Sequence, residues 1–194
     1  MAKITIQPAT ADRFDDAEVA LSSGDGPGCQ CQWWMMSGAQ FEKLTRQDRE
    51  ELLREEVATG PPPALIAYVD GEPAGWVRVG PRTRQVRLAR TRKYAPHSEE
   101  PWDDPDVWAV SCFVVRKEHR GQGLNARLLQ AAVDYARKSG ARVVEAYPVD
   151  PHAGPRKPSN DLYHGVVSTF AQAGFREVAR PRPDVAIVSL DLAD

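Results

Sequence analysis

Apolar and polar positions form short blocks along this chain, and the blocks predict seven β-strands. Strict alternation, or a short apolar run bounded by turn residues, is typical of a strand. The predicted strands cover residues 3–7, 64–69, 74–79, 107–115, 142–147, 175–179 and 186–192. Asp70 and Gly71 separate the second strand from the third, and this dipeptide between two apolar runs predicts a hairpin.

Apolar residues at helical spacing predict four helices. They cover residues 11–21, a segment from Thr45 to Val57, a segment that starts near Leu124 and ends at Gly140, and residues 161–173. Thr45 is followed three residues later by Asp48, an arrangement that caps a helix N-terminus. In the third helix one face is apolar, with Leu124, Leu128, Ala131, Ala132 and Tyr135.

This order of elements fits one α/β (α+β) domain over residues 1–194. A single mixed, mostly antiparallel sheet of about seven strands with helices on both faces accommodates it. The strand–helix–strand unit from Val107 to Tyr147 requires a right-handed crossover between two parallel strands. A connection of about 27 residues, from Gly80 to Asp106, has no clear period, and long loops of this kind often serve function.

Composition narrows the class of protein. The 194 residues are 42% hydrophobic and 27% charged, with a net charge of −2, which excludes a disordered chain and argues against nucleic acid as a partner. No apolar run approaches the roughly 20 residues that span a bilayer, and no signal-peptide layout is visible. Three cysteines do not make a disulfide framework. We therefore expect a cytoplasmic protein with no membrane partner.

A glycine-containing turn, Arg120-Gly121-Gln122-Gly123-Leu124-Asn125-Ala126, joins a strand to an amphipathic helix. Two glycines one residue apart let the backbone approach a ligand closely. The helix that follows adds unpaired N–H groups and the positive end of its dipole, so the turn can bind a phosphate or diphosphate. The alternative is a tight turn that only connects the two elements.

Two ligand classes fit such a turn. Gly121, Gly123 and Ala126 match the looser dinucleotide fingerprint, and Glu145 lies roughly where a ribose-binding acid is expected, which would suggest an oxidoreductase. However, five polar residues (116–120) separate the strand from the first glycine, and few residues remain downstream for further βαβ units. Coenzyme A is the other class.

The segment resembles the core motif of the GNAT superfamily of acyl-CoA-dependent N-acyltransferases. In that family a strand ending in an apolar-x-Val pattern is followed by about four polar residues and then by Arg/Gln-x-x-Gly-x-Gly/Ala. Here the strand ends at Phe113-Val114-Val115, residues 116–119 are polar, and Arg120 to Asn125 complete the motif. Asn125 departs from the usual Gly or Ala. Residues 170–175 (FAQAGF) resemble the family's late-helix ending, and the order of elements matches along the whole chain.

This resemblance implies an N-acetyltransferase that uses acetyl-CoA and no metal. The acceptor would be a primary amine of a small molecule or peptide, and the protein a monomer or homodimer. The cofactor would lie in a wedge where the strand 107–115 parts from the strand 142–147. The implied cofactor-binding residues are Phe113, Val114, Val115, Arg120, Gly121, Gln122, Gly123, Leu124, Asn125 and Ala126.

The resemblance also suggests catalytic residues. Some relatives have a Glu proton acceptor at the position of Glu145, and strand alternation places Tyr147 on the same face. A salt-bridged or sheet-face glutamate is the alternative at this position. Many relatives have a Tyr as proton donor where this chain has Phe170. Tyr163 and Tyr147 are the candidate replacements. The alternative is that no dedicated acid exists, since a thiol with a pKa of about 8.5 leaves tolerably without one. Phe170 also makes a runner-up function credible, a non-catalytic acyl-CoA-binding sensor or partner module.

An unusual segment, residues 29–36 (CQCQWWMM), lies between the first two predicted helices. In the family fold this region overhangs the acceptor side of the cleft, so Trp33 and Trp34 are candidate substrate-binding residues. A packing loop over the sheet is the alternative. Cys29 and Cys31 with a third ligand could hold zinc, but a lone Cys-x-Cys lacks the paired spacing of a structural zinc site.

Overall fold

One mixed sheet runs through the residues that the computed structural model describes, which are 2–153 and 157–192. Its spatial order is β1-β2-β3-β4-β5-β7-β6. Only β4 and β5 pair in parallel, and the other neighbours are antiparallel, which confirms the predicted class of sheet. The strands are β1 (Ile4–Pro8), β2 (Ala64–Val69), β3 (Glu72–Pro81), β4 (Val107–Val115), β5 (Val143–Ala146), β6 (Arg176–Arg182) and β7 (Val185–Asp191).

Helices cover both faces of the sheet. They are α1 (Phe14–Ala20), α2 (Gly26–Cys29), α3 (Gly38–Lys43), α4 (Arg46–Thr59), α5 (Leu124–Lys138) and α6 (Val167–Gln172). Strand β2 is buried on both sides because its residues alternate between two cores. Leu65 and Ala67 face the core under α5 and α6, whereas Ala64 and Ile66 face the core under α1 and α4.

Two consecutive capping boxes organise the chain before β2. Thr45 and Asp48 cap α4 as predicted, with the Asp48 N–H donating to the Thr45 hydroxyl at 3.2 Å. Ser37 and Gln40 cap α3 in the same reciprocal way. We predicted no helix between residues 21 and 45, so α2 and α3 correct the sequence analysis. The Ser-x-x-Gln spacing carried the signal for α3.

The predicted helix 161–173 is broken. A 3₁₀ turn (Ser159–Leu162) and the shorter α6 replace it, and the chain between them is not helical. Gly165 has φ +78° and Val166 is extended, so the helical path is interrupted at both residues. The interruption turns the 163–165 segment toward the edge of β4.

The parallel pair at the centre of the sheet is short. Val107–Val110 of β4 pair with Val143–Ala146 of β5, and the pairing ends there. On the other side of β4, Arg78 pairs with Cys112 and Val79 with Val110, so Ser111 is the extra residue of a β-bulge. The second half of β4 therefore parts from β5, as the wedge of the sequence analysis requires.

The connection between β3 and β4 contains three 3₁₀ turns, Arg82–Arg84, Leu88–Arg90 and Ala95–His97. Four of its charged residues form ion pairs within the fold, namely Arg82, Glu99, Glu100 and Asp104. Arg142, at the start of β5, binds the carboxylates of Glu100 and Asp104. Within the described part of the chain, every helix is too short or too polar to cross a membrane.

Candidate active site

A cavity of about 670 Å³ follows the free edge of β4. Three segments enclose it together with β4: the turn before α5, residues 21–34 with α3 and α4 behind them, and residues 160–163. The wall is mainly apolar, and a concave apolar site with a few polar groups is typical of small-molecule binding.

The glycine turn forms one end of this cavity. Gly121 (φ +77°) and Gly123 (φ +70°) adopt the left-handed conformation that favours glycine, and Gly123 is the N-cap of α5. None of the six backbone N–H groups of residues 121–126 donates a hydrogen bond within the described chain. A Cβ at either glycine would meet no atom within 4 Å. The turn therefore offers unpaired donors facing open space, which fits a diphosphate.

Most predicted cofactor-binding residues line the cavity, and Gln122 and Ala126 do not. Those that do are Phe113, Val114, Val115, Arg120, Gly121, Gly123, Leu124 and Asn125.

The backbone groups of β4 are already engaged at two points. The Phe113 N–H donates to the Tyr163 carbonyl oxygen at 2.6 Å, and the Arg120 Nε donates to the Val115 carbonyl oxygen at 3.2 Å. A pantetheine arm that paired with this edge would have to exchange these partners.

An aromatic wall lies opposite the β4 edge. Trp33 and Trp34 both line the cavity, and the Trp33 ring meets Phe41 edge to face at 5.0 Å between centroids. The Arg87 guanidinium lies over the Trp33 ring, 3.4 Å from the ring centre. Trp34 is 4% exposed and contacts the His164 ring. Aromatic contacts therefore position both tryptophans, and a cation–π contact with Arg87 also positions Trp33.

Arg49, on α4, connects the segments that enclose the tryptophan side of the cavity. Its Nη1 donates to the Gly28 carbonyl oxygen at 2.7 Å, and its Nη2 donates to the carbonyl oxygens of Phe41 and Leu44 at 2.8 Å. The guanidinium also lies 3.8 Å from the Phe41 ring centre. One side chain therefore connects the end of α2 with the end of α3.

Tyr163 is the candidate proton donor that reaches the cavity. It lies outside α6, on the interrupted segment, and its half-buried ring lines the wall near Cys112. Burial raises the pKa of the Tyr163 phenol well above its usual range, so the hydroxyl keeps its proton at neutral pH.

Glu145 and Tyr147 lie elsewhere, in a buried network at the inner strand β5. The Glu145 carboxylate accepts hydrogen bonds from Arg82 (2.9 Å), Ser98 (2.6 Å) and Tyr147 (2.5 Å). Neither Glu145 nor Tyr147 lines the cavity. The Tyr147 ring stacks on Tyr94 at 4.4 Å between centroids. The two residues share a face, as strand alternation predicted, but they contact a guanidinium rather than open space.

Phe170, where relatives often have a tyrosine, is fully buried in the core. Its ring packs edge to face against Phe113 and Phe175, with centroids 6.1 Å and 5.1 Å apart. This position does not line the cavity. A hydroxyl there would be buried among aromatic rings.

The three cysteines are free, and all line the cavity. Among the described residues, the metal-compatible set whose donor atoms lie within 4.8 Å of one another is Glu72, Glu118 and His119 rather than a cysteine group. Arg116 pairs with both carboxylates of that set, which leaves little negative charge for a cation.

Sequence reasoning missed several lining residues, among them Phe41, Arg49, Cys112 and Leu162. They lie on four different elements, and no local motif connects them. The chain spacing of Arg49, one helical turn before buried Leu53, was the only signal that its side chain faces inward.

Comparison with known proteins identifies the fold and the family. A model of the GNAT acetyltransferase family matches residues 30–164. No curated protein matches the sequence. Solved structures match at low identity over nearly the whole length of both chains. An N-acetyltransferase from Staphylococcus aureus Mu50 is 16% identical, covers 98% of this chain and 99% of its own, and has a TM-score of 0.57.

Two further structures were solved with a ligand of the coenzyme A type. The PaiA N-acetyltransferase of Thermoplasma acidophilum, in complex with coenzyme A, is 15% identical over 97% of this chain and 99% of its own, with a TM-score of 0.54. The yncA protein of Salmonella typhimurium, with its cofactor acetyl-CoA, is 17% identical over 98% and 95%, with a TM-score of 0.56. The family match covers more than half of the sequence, and the fold agrees with it, so this chain belongs to the GNAT acetyltransferase family.

Proposed function

We propose that this protein transfers an acetyl group from acetyl-CoA to a primary amine of a small molecule or peptide that carries an apolar group. One observation supports this most directly. A single cavity connects the part of the glycine turn that lines it (residues 121 and 123–125), where the N–H groups are unpaired, with the free edge of β4 and with the aromatic wall of Trp33 and Trp34. The glycine turn would hold the diphosphate, the β4 edge the pantetheine arm with its acetyl group, and the tryptophan wall the acceptor. These three places adjoin one another.

The residues fit the cosubstrate as follows. The N–H groups from Gly121 to Ala126 would hold the diphosphate, since their charge and direction suit an anion. Phe113 and Val115 would pair with the pantetheine arm as an added strand does, after the Phe113 N–H leaves the Tyr163 carbonyl. Acetyl-CoA supplies the acetyl group as an activated thioester.

Tyr163 would give a proton to the leaving sulfur. Its phenol lines the cavity and keeps its proton at neutral pH. The Arg82 ion pair instead favours a positioning role for Glu145 and Tyr147. We propose that the acceptor amine loses its proton to solvent and reacts in its neutral form. No carboxylate base is then needed.

Two observations favour the second candidate, a non-catalytic acyl-CoA-binding module. The Phe113 N–H, which an acyl oxygen or pantetheine group would need, already has a partner inside the protein. Phe170 also lacks the hydroxyl that many relatives place there. A dinucleotide oxidoreductase has no such support, since the sheet contains one parallel pair among the described strands.

Release of free thiol from acetyl-CoA separates these functions. The protein is mixed with acetyl-CoA and a panel of polyamines, aminoglycoside antibiotics, aryl-alkyl amines and peptide N-termini. Turnover on at least one amine supports the transferase, with aryl-alkyl amines preferred. Thermal stabilisation by acetyl-CoA without turnover on the whole panel supports the module. A ligand at 100 times its Kd adds about 2.7 kcal/mol to the free energy of unfolding, which a thermal shift detects. Stabilisation by NAD and not by acetyl-CoA would overturn both the transferase and the module.

A further inference from the structure

Three thiols converge on one wall of the cavity. Cys29 is the last residue of α2, and Cys31 comes two residues later. Cys112 lies in the second half of β4. Nothing in the proposed acetyl transfer uses them. Their convergence depends on the fold, because β4 lies far along the sequence from α2.

Cys31 and Cys112 are neighbours across the β3 surface. Arg78 pairs in register with Cys112, and Trp76, two residues earlier on the same face of β3, donates its Nε1–H to the Cys31 sulfur at 3.2 Å. Cys112 packs against the core cluster that contains Cys31, and both cysteines line the cavity. The two thiols therefore belong to one cluster at the cavity wall.

The backbone holds Cys31 in an unusual conformation. Gln30 (φ +49°) and Cys31 (φ +54°) are consecutive non-glycine residues in the left-handed region, and both side chains are buried. Each such residue costs on the order of 1 kcal/mol, and strain of this kind concentrates at functional sites. The Gln30 amide is anchored to Glu18 and to the Pro27 carbonyl oxygen. The strained turn therefore fixes the position of Cys31 in this cluster.

The surroundings divide the two thiols into a nucleophile and a proton-bearing partner. The hydrogen bond from Cys112, with Arg78 and the Trp76 indole, lowers the pKa of Cys31 to about 6, although burial opposes this. The same contact, together with burial, raises the pKa of Cys112 well above its usual range. Burial raises the pKa of Cys29 to about 11, which makes it the least reactive of the three.

We propose that Cys31 and Cys112 form an oxidisable dithiol, which hydrogen peroxide entering the cavity converts to a disulfide between β4 and the segment that follows α2. The Cys31 thiolate attacks one peroxide oxygen, the O–O bond breaks, and the departing hydroxide takes a proton to become water. Cys31 is then a sulfenic acid. The Cys112 sulfur attacks the Cys31 sulfur, the S–O bond breaks, and a second water leaves with the Cys112 proton. Each sulfur loses one electron, and the peroxide gains two.

Mass spectrometry of the full chain tests this assignment. The reduced protein is exposed to hydrogen peroxide, its remaining free thiols are alkylated, and its peptides are mapped without reduction. We expect one free thiol per chain to remain, at Cys29, together with a cross-linked peptide pair that contains Cys31 and Cys112. Dithiothreitol should restore all three free thiols. The readout concerns only the sulfur atoms, so it does not depend on whether an amine is acetylated.

Two matched variants refine the test. Cys29→Ala should still form the cross-link, whereas Cys112→Ala should stop at a Cys31 sulfenic acid that dimedone labels. A cross-link that includes Cys29 in the native protein, or stepwise oxidation of Cys31 without any cross-link, would overturn the proposal. The peptide map of the native protein decides the question even if a variant folds poorly.

Discussion

The Phe113 N–H and the Tyr163 carbonyl oxygen, 2.6 Å apart, join the free half of β4 to the interrupted segment before α6. This hydrogen bond replaces one rung of the ladder that β5 fails to provide beyond Val110. It also fixes the backbone of Tyr163, so that the phenol ring lies on the cavity wall. The segment that carries the candidate proton donor therefore binds to the part of β4 that β5 leaves unpaired.

Replacement of Tyr163 by Phe removes the only proton that we assign to the leaving sulfur. We expect kcat to fall about 100-fold, the range typical of general acid catalysis, while the Kd for acetyl-CoA changes less than twofold. Steady-state kinetics and calorimetry measure the two quantities. Tyr135→Phe is the matched control, since that phenol binds the Pro62 carbonyl oxygen away from the cavity. Equal rates for the native protein and Tyr163→Phe would remove the assignment.

Gly123→Ala places a methyl group where the diphosphate is expected. We predict at least a tenfold weaker affinity for acetyl-CoA and a stability loss of about 1 kcal/mol from the left-handed backbone. Gly140→Ala has the same kind of backbone (φ +86°) and the same open surroundings, but it lies at the far end of α5. It should lose similar stability and keep its affinity. Similar affinities for the two variants would contradict the diphosphate site.

Glu145→Gln leaves the buried Arg82 guanidinium without its carboxylate. Breaking a buried ion pair costs about 3–5 kcal/mol, so we expect a large fall in thermal stability. The shape of the pH–rate profile should stay that of the native protein. Profiles of kcat measured from neutral to alkaline pH check this. A rate loss at neutral pH that recovers in alkali would instead identify Glu145 as the proton acceptor of the sequence analysis.

His164 should make the fold sensitive to acid. Burial, with help from Lys93, lowers the pKa of His164 to about 3. The unfolded chain binds a proton at this residue below its ordinary pKa of 6.5, and the folded chain does not until about pH 3. Stability is therefore lost as pH falls through this window, by about 1.4 kcal/mol between pH 7.5 and 5.5. Urea unfolding at both pH values should show a smaller loss in His164→Gln, and an equal loss would refute this account.

Local signals predicted the elements that depend on local interactions. The limits of β2 and β4, the α4 cap at Thr45 and the turn at Gly121 and Gly123 could all be read from neighbouring residues. The break in the late helix was missed, because Leu162, Val166, Val167 and Phe170 keep helical spacing across it. Gly165 overrides that spacing in the folded protein.

The chemistry of the site was harder to predict, because its groups meet only through the fold. Glu145 was a reasonable proton acceptor by position, but Arg82, on the long connection, occupies its carboxylate. No sequence pattern around Arg82 or around Glu145 indicates that the two residues pair. Trp33 and Trp34 line the cavity, and their role as substrate-binding residues stays a prediction. Arg49 and Cys112 line it from a helix and a strand that carry no motif.

Arg49 holds the acceptor side through three backbone carbonyl oxygens. Every residue type provides such an oxygen, so these three hydrogen bonds do not depend on which side chains stand at positions 28, 41 and 44. A descendant or a designed variant could acquire a new amine preference by replacing the rings of this surface while the chain path stays as it is. The selectivity of this protein can therefore change faster than its architecture.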